Sequence, residues 1–112
     1  MRSWPLEVSS HAIVRFRQRL RRLPPHRCAE LIRQAVAAPV AVKAVEGGRV
    51  RRYGALVEGL AFVVTVDEVR RVVMTVRPAR CGSCGANRGR RYRAERYVWE
   101  RPTWTRVEAL AS

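Results

Sequence analysis

Between Val40 and Arg77 the chain alternates short Val-rich runs with two-residue turn signals: Val40 to Val45, Gly47-Gly48, Arg49 to Val57, Glu58-Gly59, Leu60 to Val66, Asp67-Glu68, and Val69 to Arg77. β-Branched runs bounded by such dipeptides read as strands. Connections this short join antiparallel neighbours, because parallel ones need a crossover of a dozen or more residues. The pattern predicts a four-stranded antiparallel meander. In its last strand, strict alternation sets Val72, Met74 and Val76 on one face and Val73, Thr75 and Arg77 on the other. One face would pack helices and the other would be open to a ligand. Pro78 ends the sheet.

Two helices precede it. Ser9 and Ser10 open a run to Leu23 in which Ile13, Phe16, Leu20 and Leu23 recur at three- and four-residue steps, the signature of a serine-capped amphipathic helix. Pro24-Pro25 stops it, and Pro25 suits the first turn of a second helix. That helix buries Leu31, Ile32, Ala35 and Val36 and ends before Pro39. The fold class expected is α+β, with two N-terminal helices on the meander over residues 1–78. Residues 79–112 form a basic extension that packs on the sheet or reaches a partner. It holds eight Arg and three Glu, and its segment from Arg90 to Glu100 fits a helix or a strand equally.

The chain has 112 residues, 47% of them hydrophobic, so the charge it carries sits on a folded body. That charge is +14, and 22 of the 23 basic residues are Arg, with Lys43 the one lysine. Arg presents a planar fork of donors that fits phosphate oxygens and stacks on bases. An Arg-for-Lys preference can come from genome composition, but an excess of this size repels itself unless a polyanion neutralises it. Nucleic acid, RNA before DNA, is the expected partner. No apolar run approaches a membrane span, and the first residues lack the apolar stretch of a signal peptide, so a cytoplasmic protein without membrane contact is expected.

His11, Arg15 and Arg19 stand at i, i+4 and i+8 and would form one polar stripe on the first helix. Such a stripe grips successive phosphates or is simply solvated. With Ser10-His11-Ala12, Arg15 and Arg19 on the first helix and Val72-Val-Met-Thr-Val-Arg77-Pro78 on the last strand, residues 9–78 resemble small bacterial and phage proteins of unknown function related to the RelE/ParE toxin superfamily. The resemblance implies either a metal-independent endoribonuclease, as in the RelE branch, or a gyrase poison, as in the ParE branch, and an antitoxin as a partner. RelE-type activity uses basic and tyrosine side chains on the sheet, matched here by Arg51, Arg52, Tyr53 and Arg77. On that reading His11 is the acid or base, Tyr53 stacks on a base or donates a proton, and Arg77 stabilises charge on the phosphorus. Arg15, Arg19, Arg51, Arg52, Arg90, Arg91 and Arg93 would hold RNA.

The extension has no counterpart in that family's pattern. Cys81-Gly-Ser-Cys84 resembles half of a zinc knuckle, whose completion needs His26 and Cys28 or a second subunit. Zinc, a disulfide and free thiols all stay open, and no other cofactor is expected. Tyr92, Tyr97, Trp99 and Trp104 lie among arginines and suit either a base-stacking surface or a core. The alternative to a nucleic-acid protein is a non-catalytic module that docks on a large assembly such as the ribosome or RNA polymerase.

Overall fold

The structure, a computed structural model, describes residues 6–79 and 97–107. The first helix, α1 (Ser10–Arg19), begins at Ser9, whose side chain accepts the Ala12 N–H at 3.1 Å. It stops short of the Leu23 expected from its periodicity. The Leu20 and Arg21 N–H groups both bond the Phe16 carbonyl, and the chain then unwinds toward Pro24. The Leu23 carbonyl thereby becomes the partner of the Cys28 thiol at 3.5 Å, and the Pro24 carbonyl receives Arg27 and Cys28. Pro25 opens α2 (Pro25–Ala37), where its missing N–H costs nothing. This helix buries Cys28, Leu31, Ile32 and Ala35.

The α+β class holds, but the four-stranded antiparallel sheet is corrected to a six-stranded mixed one. Its order is β1-β5-β4-β3-β2-β6, with β1 (Glu7–Val8), β2 (Ala41–Val45), β3 (Val50–Val57), β4 (Leu60–Asp67), β5 (Val72–Pro78) and β6 (Thr105–Arg106). β1 runs parallel to β5, and β6 runs antiparallel to β2. Each added strand is two residues long, too short to carry a period-two pattern, and each reaches the sheet from outside the Val-rich region.

Alternation in β5 is also corrected. The register slips between Thr65 and Val66, so that Val66 faces Val73 while Thr65 faces Thr75, and Met74 is the extra residue of a bulge. Val73 and Val76 consequently share one face, both fully buried, while Met74 is 44% exposed.

Two cores result. The helix-side core joins Ala12 and Phe16 of α1, the buried face of α2, and Tyr53, Ala55, Val57, Phe62, Val64, Val66, Val73 and Val76 of the sheet. The Phe16 and Phe62 rings meet edge to face, 5.4 Å apart at 83°. On the other face, Ala41, Val63 and Ala79 pack with Trp99 and Trp104. Part of the extension therefore lies on the sheet. The Ala79 and Val98 N–H groups bond the Ala61 and Ala79 carbonyls, and the Val107 N–H bonds Val40. Gly54 makes this possible: a Cβ there would stand 2.3 Å from Trp99 Cε3, well inside contact distance. Tyr97 stacks on the same indole at 4.7 Å and 16°.

Candidate nucleic-acid interface

The helix stripe is only partly available. His11 is exposed, and the Arg15 guanidinium comes within 3.5 Å of its Nε2 while donating to Gln18 Oε1 at 3.0 Å. Arg19 instead donates to the Val76 carbonyl at 3.1 Å and ties α1 to β5. Beside it Val14, Arg17, Gln18 and Arg22 line a shallow depression of ≈ 320 Å³. Arg17 and Arg22 were not among the residues expected to bind, although the sequence places both on this helix and its exit.

Tyr53 projects to the helix side of the sheet, where it belongs to the buried core. Its hydroxyl donates to Glu68, whose carboxylate also takes Arg71 at 2.7 Å. Burial, and then the bond to Glu68, push the phenol above its ordinary pKa, and Arg51 opposes the shift. This keeps Tyr53 protonated and occupied by a carboxylate. Arg51 pairs with Ala44 and Val66 and so shares the helix side. Arg77 pairs with Val63, a member of the other core, and lies exposed on the opposite face. Tyr53 and Arg77 thus stand on opposite sides of the sheet, and His11 is on α1; the three expected catalytic residues do not converge on one reacting position.

The second face offers a different arrangement. Val42 and Tyr53 pack toward the helices, so their neighbours Lys43 and Arg52, direct cross-strand partners, point the other way. Arg52 faces Thr65, and Thr65 faces Thr75, so one row crosses four strands as Lys43, Arg52, Thr65 and Thr75. All four are partly exposed. The adjacent row carries Arg106 beside Ala41, then Gly54, Val63 and Arg77. Trp99 seated on Gly54 raises the C-terminal segment along one side of the Lys43–Thr75 row.

Among the described residues, Lys43, Arg52, Arg77 and Arg106 form no ion pair, unlike Arg27, which pairs with Glu30 and Glu58, and Arg71, which pairs with Glu68. Asp67, on the same face as Arg52, accepts the Val69 and Arg70 N–H groups at 3.0 and 3.1 Å and is held by its own turn. Sequence reasoning singled out Arg52 and Arg77 but missed Lys43, Thr65, Thr75, Arg106 and Gly54. Hairpin register was the available signal, since counting outward from Gly47-Gly48 sets Lys43 opposite Arg52.

Arg90, Arg91, Arg93, Tyr92, Cys81 and Cys84 lie outside the described residues. Among those described, no three potential metal ligands cluster, and no helix is long and apolar enough to cross a membrane. Cys28 is a free, buried thiol that burial pushes up in pKa, and His26 is exposed. Comparisons with protein-family models, curated proteins and solved structures give no significant match.

Proposed function

We propose that the protein binds nucleic acid, with RNA as its partner, and that its basic surface acts by recognition rather than by cleavage. The observation that carries this reading is the absence, among the described residues, of any ion pair at Lys43, Arg52, Arg77 and Arg106. On a chain of net charge +14 these cations repel each other until a polyanion arrives. Arginine predominates among the basic residues, which suits phosphate and base contacts. The resemblance to the RelE branch argues for RNA over DNA. Separation of Tyr53 from Arg77 across the sheet argues against a catalytic assembly of His11, Tyr53 and Arg77.

Fluorescence anisotropy with labelled RNA over a salt series tests this. Log affinity should fall linearly with log salt, by about 0.7 per phosphate contact for a single strand. A flat response would contradict polyanion binding. Metal-free incubation with the same RNA should leave it intact, and appearance of 2′,3′-cyclic phosphate ends that depends on His11 would restore the ribonuclease reading.

A further inference from the structure

Accepting RNA binding as proposed above, we infer that the row Lys43, Arg52, Thr65 and Thr75 is a phosphate seat for one strand of RNA crossing β2 to β5. Like charges placed directly opposite each other on neighbouring strands destabilise a sheet. Lys43 and Arg52 occupy such a pair on the face away from the helices. The one carboxylate in the neighbouring row across these strands, Asp67, is committed to backbone N–H groups of its turn. An anion between the two cations removes the repulsion and meets both donors. Thr65 and Thr75 continue the row with hydroxyls, which contact phosphate oxygens as Ser and Thr do at many nucleic-acid interfaces.

The shape of the face selects the single strand. Four strands spaced by about 4.8 Å give the row a length of about 14 Å. Along one side stands the segment held by Trp99 on Gly54, with Tyr97 stacked on the indole and itself partly exposed. A sheet face with a raised edge accepts a backbone whose bases splay outward, whereas a duplex presents a convex cylinder that the edge holds away from the strands. Single-stranded RNA is bound elsewhere on such sheet faces, with bases against aromatic rings. The row is therefore matched to unpaired RNA.

The test uses the full chain, a labelled oligouridylate, an RNA duplex of equal length, and thermal melting. In the double variant Lys43→Gln, Arg52→Gln, oligouridylate affinity should fall about ten-fold or more, and the salt slope should shrink by about 0.7 for each contact removed. Its melting temperature should stay the same or rise, because the repelling pair is gone. The control Arg17→Gln, Arg22→Gln, in the helix depression, should change affinity less than about two-fold. Thr65→Val with Thr75→Val gives a second, uncharged probe of the row and should weaken binding without altering the slope. An unchanged slope in Lys43→Gln, Arg52→Gln beside a steep slope in the unmodified chain would overturn the seat and leave RNA binding standing. A lowered melting temperature would assign the pair to the fold and also overturn it. Duplex binding as tight as oligouridylate binding, equally sensitive to these changes, would overturn the single-strand assignment. No salt-dependent binding by the unmodified chain would remove the RNA reading itself.

Discussion

The two faces of the sheet are built by different means. On the helix side, Phe16, Leu31 and Ile32 come from helices adjacent in sequence, and they meet alternate residues of β3 and β4, and Val73 and Val76 of the bulged β5, in one continuous core. On the other side, a smaller core of Ala41, Val63, Ala79, Trp99 and Trp104 depends on a segment that returns from far along the chain. Beside that core, among the described residues, the face carries the row Lys43, Arg52, Thr65 and Thr75, with Arg77, Leu56 and Asp67 around it. The first face is organised for stability, while the second divides its area between packing and charge. A surface that keeps Lys43 opposite Arg52, with Asp67 on the same face committed to its own turn, accepts a stability cost, and such costs persist where a ligand offsets them.

The largest break in this comparison should come from Phe62→Ala. Phe62 is fully buried and packs edge to face on Phe16. Deleting a buried phenyl ring costs about 3 to 5 kcal/mol, enough to threaten a domain whose total stability is typically about 5 to 15 kcal/mol. Urea unfolding should show it as a large drop in midpoint. Gly54→Ala should cost less, about 1 to 3 kcal/mol, because the new methyl group forces Trp99 off the sheet while leaving the helix-side core intact. Tryptophan fluorescence should shift to the red in the folded variant, and near-ultraviolet signals should change. If Gly54→Ala matched Phe62→Ala in cost, the second face would be as structural as the first.

Tyr53→Phe should have the smallest effect near neutral pH, about 1 to 2 kcal/mol, from the lost bond to Glu68. Its signature is the pH dependence. The folded-state pKa of Tyr53 is raised, so its contribution is complete below the ordinary phenol value of about 10 and is lost as pH rises through the folded value. Chemical unfolding between neutral and alkaline pH should therefore show less alkaline loss in Tyr53→Phe than in the unmodified chain. Equal alkaline loss in both would place the titration elsewhere.

How far these features could be read in advance differs between the faces in the same way. Ser9, Pro25 and the three- and four-residue steps of Ile13, Phe16 and Leu20 in one run, and of Leu31, Ile32, Ala35 and Val36 in the next, are local signals, and the helices follow them. Turn dipeptides at Gly47-Gly48 and Glu58-Gly59 separate β2, β3 and β4 where the sheet places them, whereas Asp67 still belongs to β4 and the last turn runs on to Arg71, so that β5 starts at Val72 rather than Val69. The bulge at Met74 depends on how β5 settles against β4, so alternation alone misassigned Val73 and Val76. β1 and β6 are held by pairing with distant strands and leave almost no local pattern. Gly54 reads as a weak point in a strand until the ring that covers it is known. Among the site residues, the helical spacing of Arg19 suggested a phosphate ligand, but the carbonyl of Val76 claims it. Lys43 and Arg52 each look like an ordinary strand cation, and only their register makes them a pair.

Methyl resonances give the most direct test of the account, because each surface carries its own probes. Thr65 and Thr75 sit in the proposed seat, and Val14 lines the depression on α1. Titration of isotopically labelled protein with oligouridylate should shift or broaden the Thr65 and Thr75 methyl signals and leave Val14 unmoved. Movement of Val14 with Thr65 and Thr75 unchanged would contradict the claim that the second face of the sheet receives the strand.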